Sequence, residues 1–216
     1  MSTDLPTRGR PSGLTGTDLI AVARDVFLQH GYRGASMDEV AKRARISKAS
    51  LYREHASKSA LYAAVVHHWT MAGRDAMRPA LDRLRASEDT RAGLVELAET
   101  MRAGILSPPV VAMRRLVSAE APEQAEVAAT YLEESWNTNI QNLADTLSAL
   151  AAEGRLHLAD PRTAAEQFTW LVIGAPLNAR MLGDETKTGP VDGAVDLFLA
   201  GYGASDRRDG SEAPTG

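Results

Sequence analysis

Between residues 36 and 58 the chain gathers hydroxyls and cations at helical spacing: Ser36, Arg45, Ser47, Lys48, Ser50, Tyr52, Arg53, His55 and Lys58. Such groups donate hydrogen bonds and carry positive charge, the chemistry that binds phosphate oxygens and reads acceptor atoms on base edges. Signatures of bond-making chemistry are missing. HExxH, GxSxG, P-loop, GxGxxG, EF-hand and Glu-x-x-His spacings are absent, and there is no cysteine to act as nucleophile, thiolate ligand or disulfide partner. His67 and His68 are adjacent and so project about 100° apart on a helix, as do Glu133 and Glu134, so neither pair shares a metal-binding face. A surface role is expected for all four, with no enzyme activity, cofactor or metal site.

The elements that position the polar cluster follow from caps and apolar spacing. Ser36 is an N-cap candidate with Glu39 three residues on, a capping box, and Met37, Val40, Ala41 and Ala44 repeat at helical spacing over about two turns. Arg45 and Ile46 form a turn, after which Ser47 caps a second short helix running to Arg53, with Ile46 and Leu51 facing inward. Ser47, Lys48, Ala49 and Ser50 keep its first turn small and polar, as a helix entering a major groove about 12 Å wide requires. Lys48, Ser50, Tyr52 and Arg53 then face outward. Upstream, residues 17–31 place Leu19, Ile20, Ala23, Val26 and Phe27 on one helix face, stopped by Gly31; downstream, Ser57 caps a helix striped with Leu61, Tyr62, Val65, Val66 and Trp69. The expected unit is three helices with a fourth leaving it, the layout of a helix-turn-helix DNA reader.

From Thr17 to about Ala72 the sequence resembles the DNA-binding domain of the tetracycline-repressor (TetR) family, through the runs HGYRGAS, MDEVAKRARIS, SKASLYRE and ASKSALYAAV. The resemblance implies phosphate contacts from Tyr52 and Lys58. A lysine in a helix's first turn gains nothing from the dipole, so a nearby phosphate is the expected reason for Lys58. Three positions depart from the family pattern: Arg45 stands at the turn glycine, and Glu54 and His55 replace a His-Phe pair, removing a phosphate-contacting histidine. Arg45 is either an added phosphate contact or a solvated turn residue; Glu54 either repels the DNA backbone or pairs with Arg53 or Lys58; His55 takes the place of the buried aromatic. Ahead of the domain, Arg8 and Arg10 lie in a Gly-, Pro- and Ser-rich segment expected to be an unfolded basic arm that enters the minor groove.

Charge is partitioned accordingly. Residues 1–70 hold ten Lys or Arg against six Asp or Glu, a net +4, whereas residues 71–216 hold fourteen against twenty-two, a net −8. Only the amino-terminal part suits a polyanion. The opening is polar, so no secretory leader is expected, and the longest apolar run, residues 170–177, is too short to span a bilayer. A cytoplasmic protein without membrane partners is expected.

The remainder reads as helices punctuated by Pro and Gly: the fourth continuing to about residue 84 with Pro79 kinking or ending it, then 89–106, 108–121, 122–153, 160–182 and 189–202. The expected fold is all-α with about nine helices, divided into a disordered arm (1–15), the reader (16–73, motif 36–55), an effector-binding and dimerisation domain (74–203) and a disordered tail (204–216). Phe168, Leu171, Val172, Ala175, Val191, Val195, Phe198, Leu199 and Tyr202 form apolar stripes wide enough for a core and a partner copy. Met101, Leu106, Met113, Leu116, Val117, Trp136, Ile140 and Trp170 are candidates for an effector cavity, with the reading as plain core left open. The runs RRLVSAEAPE, ATYLEESW and AAEQFTWLVIGAPLNARML resemble the carboxy-terminal domain of AefR-like and AcrR-like members. The function implied is a homodimeric, ligand-responsive regulator of double-stranded DNA, a repressor released from a palindromic operator by a small apolar or aromatic effector. The alternative is an activator or a helical ligand-binding protein with weakened DNA binding.

Overall fold

The computed structural model describes residues 13–185 and 189–204. The arm residues Arg8 and Arg10 and the tail beyond Ala204 lie outside the described residues. Within these, regular structure is helical, with one isolated antiparallel bridge from Leu156 to Gly203. The helices are α1 Gly16–Gly34, α2 Met37–Ala44, α3 Lys48–Glu54, α4 Lys58–Gly73, α5 Arg78–Ala86, α6 Thr90–Ile105, α7 Pro108–Glu120, α8 Ala125–Tyr131, α9 Thr138–Ala152, α10 Pro161–Met181 and α11 Asp192–Tyr202. A π-helical turn, Leu132–Asn137, joins α8 to α9. Counting α4 with α5 and α8 with α9 as continuous stretches gives the nine expected from sequence.

Two boundaries differ from expectation. The fourth helix stops at Gly73, and Pro79 stands in the first turn of α5, where a missing N–H costs nothing and the ring has no preceding carbonyl to strike. The single helix expected over 122–153 is split by the π turn, which inserts a wider turn between α8 and α9.

The chain divides into two compact units. One comprises the residues up to Gly73 with Ala112–Ser135, the other Arg74–Val111 with the residues from Trp136 onward. The stretch 112–135, expected with the carboxy-terminal bundle, thus packs with the helix-turn-helix. In this first unit Leu19, Ala23, Val26 and Phe27 of α1 and Val40, Ala41 and Ala44 of α2 share a core with Leu51, Leu61, Tyr62, Val65, Val66, Met113 and Tyr131. Tyr62 meets the rings of Phe27 and Tyr32 at 5.3 and 5.0 Å. Gly31, at φ 67°, interrupts α1 where the sequence places its stop, a left-handed conformation that glycine adopts without the Cβ penalty.

In the second unit α10 packs against α9, α6 and α11, burying Phe168, Val172 and Ile173 with Leu147, Leu150, Val195 and Phe198. Asp160 caps α10 by accepting from the Arg162 amide at 3.0 Å. α10 runs through Pro176, which has no N–H to offer the Val172 carbonyl four residues back. The Arg102 guanidinium of α6 supplies the missing donors, at 3.0 and 3.3 Å.

Candidate nucleic-acid interface

The helix-turn-helix is assembled from short-range caps. Ser36 Oγ accepts from the Glu39 amide at 3.2 Å, but the Glu39 carboxylate turns away from the cap and accepts from Arg43 Nε at 2.6 Å, so half of the expected capping box is made. That hydrogen bond to Arg43 holds the Glu39 carboxyl below the ordinary carboxylate range. At the other end of α2, Ile46 N–H bonds to Ala41 carbonyl at 3.0 Å and Arg45 N–H to Lys42 carbonyl at 3.2 Å, a Schellman closure with Arg45 in the left-handed position at φ 58°. For a residue with a Cβ this conformation costs about 1–2 kcal/mol.

The chain just before α1 secures the same turn. Leu14 N–H donates to the Ala44 carbonyl at 2.9 Å, satisfying one of the acceptors that α2 leaves open. Gly13 lies so close that a Cβ there would stand 2.3 Å from Ile46 Cγ2 and 2.6 Å from the Arg45 carbonyl oxygen. The root of the basic arm is therefore fixed beside the turn that aims α3.

α3 is anchored by Leu51, which is fully buried, and capped by Ser47, whose Oγ accepts from the Ser50 amide at 3.0 Å. Lys48, Ala49, Tyr52, Arg53 and Glu54 are exposed, Ser50 and His55 half-buried. Ser47 Oγ donates to Ser50 Oγ at 3.0 Å, and Arg53 reaches the same oxygen at 3.4 Å. Glu54 forms no ion pair among the described residues, so neither Arg53 nor Lys58 neutralises it. Lys48 is bound to Asp38 of α2, with Nζ to Oδ1 at 2.7 Å.

Lys58 has a different explanation from the one its position suggests. Its ammonium donates to the carbonyls of Arg33 and Ala35 at 3.3 and 3.1 Å and stands 4.7 Å from the centre of the Tyr32 ring. A cation there complements the carbonyl end of α1, so a phosphate is not needed to account for it. Three residues outside the sequence-derived set also act in this unit: Asp38, Gly13 and Glu134. The last accepts from Thr70 Oγ1 at 2.6 Å and lies 3.0 Å from His67 Nδ1, so the expected surface role of Glu134 and His67 becomes a link between the π turn and α4. The adjacent-residue geometry rules out a shared metal face but says nothing of partners on another helix.

Two family profiles match this chain: bacterial regulatory proteins of the tetR family over residues 19–65, and the carboxy-terminal domain of AefR-like transcriptional repressors over residues 92–204. The chain belongs to the TetR family. Its two matched domains are those of bacterial transcriptional regulators. Among curated proteins it is similar to the HTH-type transcriptional activator FasR of Mycolicibacterium smegmatis, 39% identical over 85 residues, a match spanning 36% of this chain and 39% of that relative. Among solved structures it is similar to one from Mesorhizobium loti described as a TetR-family transcriptional regulator, with TM-score 0.81, 25% identity and coverage of 86% of this chain and 95% of that one. The flavonoid-responsive regulator FrrA superposes with TM-score 0.68 and 27% identity over 86% of this chain and 95% of its own. Among the described residues no helix is long and apolar enough to cross a membrane.

The residues that the apolar patterning assigned to partner and effector are distributed as follows. Phe168, Val172, Val191, Val195 and Phe198 are buried in the second unit's own core, and Leu199 and Tyr202 are half-buried. Leu171 and Ala175 are exposed, and beside them stand Trp170, Leu182 and Leu197, with 52, 80 and 61% of their surface open. The outward face of α10 and α11 is thus rotated from the predicted stripe, since the sequence does not say which apolar stripe the core takes first. Gln167, Trp170, Leu171, Leu197, Phe198, Gly201 and Tyr202 line a groove of about 500 Å³ on this face. Of the effector candidates, Met113, Leu116 and Val117 pack in the first unit, and Met101, Leu106 and Ile140 are buried in the second. Trp136 and Trp170 meet at 5.2 Å between ring centres.

Proposed function

We propose that this regulator is a homodimeric repressor that holds a palindromic operator with paired α3 helices and is released by a small apolar or aromatic effector. The observation that carries the proposal is α3 itself: a capped helix fixed by Leu51 that exposes Lys48, Tyr52 and Arg53 on one capped, donor-rich surface. In this reading Lys48, Ala49 and Ser50 face base edges, whereas Ser36, Arg45, Ser47, Tyr52, Arg53, His55 and Lys58 face phosphates and sugars. Arg8 and Arg10 enter the adjoining minor groove. Two-fold pairing spaces the reading helices by one helical turn, which is why the operator is a palindrome.

A second copy covers the exposed face of α10 and α11, where Trp170, Leu171 and Leu197 line an open groove and Ala175 and Leu182 are also exposed. The aromatic pair Trp136 and Trp170 supports an aromatic effector, in keeping with the flavonoid response named for FrrA. Release follows from linkage: an effector that binds better when the heads are misplaced lowers operator affinity by its differential affinity for the two states. Similarity to the activator FasR favours one variation, in which the same reader recruits rather than blocks transcription from a differently placed site.

Selection of purified protein against fragments of the source genome, with footprinting at two salt concentrations, tests this. A recovered palindrome with steep salt dependence is the expected result. Weak binding indifferent to sequence would overturn the repressor reading.

A further inference from the structure

The amino-terminal half of α3, the end that contacts base edges in a helix-turn-helix, is unbalanced in its hydrogen-bonding chemistry; the acceptors Tyr52 and Glu54 lie toward the other end. Lys48 offers three donors and no acceptor, and Arg53 offers only donors. The Ser50 hydroxyl receives hydrogen bonds from Ser47 Oγ and Arg53, which occupies its two lone pairs and leaves it a donor. Donors alone match the O6 and N7 acceptors of guanine but cannot engage the amino group that cytosine presents at N4 on the same base pair. An acceptor is required for that, and the Asp38 carboxylate of α2 supplies one. Asp38 stands beside the first residue of α3, its Oδ1 2.7 Å from Lys48 Nζ, with both side chains more than half exposed.

Folding explains the pair only in part: Asp38 lies in the first turn of α2, where the dipole favours an anion, but nothing in the fold calls for Lys48 beside it. An exposed ion pair contributes at most about 1 kcal/mol. Lys48 also opens α3 with a cation where the helix dipole favours an anion, and the first turn of α3 holds no acid. The carboxylate meanwhile stands on the surface that must approach phosphates, where it opposes binding unless it finds a donor on the DNA. We infer that Asp38 is a specificity-determining residue, forming with Lys48 a donor–acceptor pair that reads one G·C base pair in each half-site. The ammonium bridges guanine O6 and N7 while Asp38 accepts from cytosine N4, and the ion pair holds the two groups at the separation of neighbouring base atoms. A·T fits less well because the thymine methyl occupies the space beside its acceptor. The inference rests on the DNA-reading role proposed for α3.

The test compares wild type, Asp38→Ala and Lys48→Met by selection from a random duplex library. Titrations follow on the selected operator, on duplexes with each position substituted, and on unrelated DNA at three salt concentrations. Wild type is expected to discriminate at one G·C position per half-site by about tenfold or more. Asp38→Ala, which leaves no side-chain acceptor, is expected to lose that discrimination at that position alone, to bind unrelated DNA several-fold more tightly, and to shift its melting temperature by no more than about 2–4 °C, since Asp38 lies in the first turn of α2. Lys48→Met is expected to lose the same preference with a weaker salt dependence. Retention of every base preference in Asp38→Ala, a uniform loss across all sequences, or a wild-type preference for A·T at the affected position would each overturn the assignment. A wild type that selects no site would overturn the DNA-reading proposal as well, so the two failures are distinguishable.

Discussion

Arg102 gives the sharpest stability prediction. Its guanidinium donates to the Val172 carbonyl through two nitrogens, at 3.0 and 3.3 Å, and to the Gly189 carbonyl through a third. The first of these carbonyls lacks a helical partner because the residue four positions on is Pro176. Burial lowers the Arg102 pKa, and no carboxylate offsets that cost, so the cation is retained for the backbone acceptors it fills. Arg102→Met keeps most of the stem's packing and removes every donor. Hydrogen bonds to charged groups contribute about 1.5–3 kcal/mol each, and relief of the desolvation cost returns part, so a net loss of about 2–3 kcal/mol is expected. For a chain of this size that is a fall of roughly 5–10 °C in Tm, measured at fixed protomer concentration. The decisive assay is a double-mutant cycle with Pro176→Ala in urea unfolding. Alanine restores an N–H to Val172, so Arg102→Met in that background should cost about 1 kcal/mol less. Equal costs in both backgrounds would refute the idea that Arg102 stands in for the helical bond.

Other measurements probe other parts of the molecule. Leu197→Arg or Leu171→Glu should give a monomer in sedimentation while preserving helicity, because both side chains are exposed on the chain itself. Tyr52→Phe should weaken binding to all sequences alike, read by titration on operator and unrelated DNA. Lys58→Ala should do the same and also lower Tm, since its ammonium ties the carbonyls of Arg33 and Ala35; a variant with unchanged affinity and unchanged salt slope would remove Lys58 from the phosphate contacts. Gly13→Val should destabilise the turn at Arg45 and expose the Leu14 amide to hydrogen exchange, because no β-carbon fits against Ile46 and the Arg45 carbonyl. Asp160 is held below the ordinary carboxylate range, mainly by Thr163 and then by backbone amides at the start of α10. A depressed folded-state pKa stabilises above the unfolded value of about 3.9 and is lost as pH falls through the folded value, so Asp160→Ala should flatten the acid limb of the stability–pH curve.

Helices were legible wherever a local signal fixes them. Ser36, Ser47 and Ser57 cap the helices they were expected to cap, each accepting from an amide three residues on, because a cap depends on a few neighbouring residues and little else. Gly31 breaks α1 for an equally local reason, although a further turn continues to Gly34. Proline was read less well. Pro79 and Pro176 both forfeit an N–H, yet one opens a helix and the other lies inside one, and the difference is made by Arg102, seventy-four residues away from Pro176 in sequence. No local pattern contains that partner.

The candidate site shows the same division. That α3 exposes Lys48, Tyr52 and Arg53 follows from the periodicity around Leu51. What those side chains are joined to does not, since Asp38 reaches Lys48 and Arg33 reaches Lys58 only after the helices pack. The consequence is clearest at Lys58. An ammonium has three hydrogens, and two of them are directed to the end of α1, which leaves one for a phosphate. Carbonyl anchoring and phosphate contact are therefore complementary: a lysine already fixed by two bonds loses little further side-chain entropy when it meets the DNA. The helix dipole assigned Lys58 to a phosphate alone and left out the carbonyls that hold it. Its position at the start of α4 matters because the carbonyl end of α1 lies within reach, and a phosphate bound there would share a cation that the fold has already oriented.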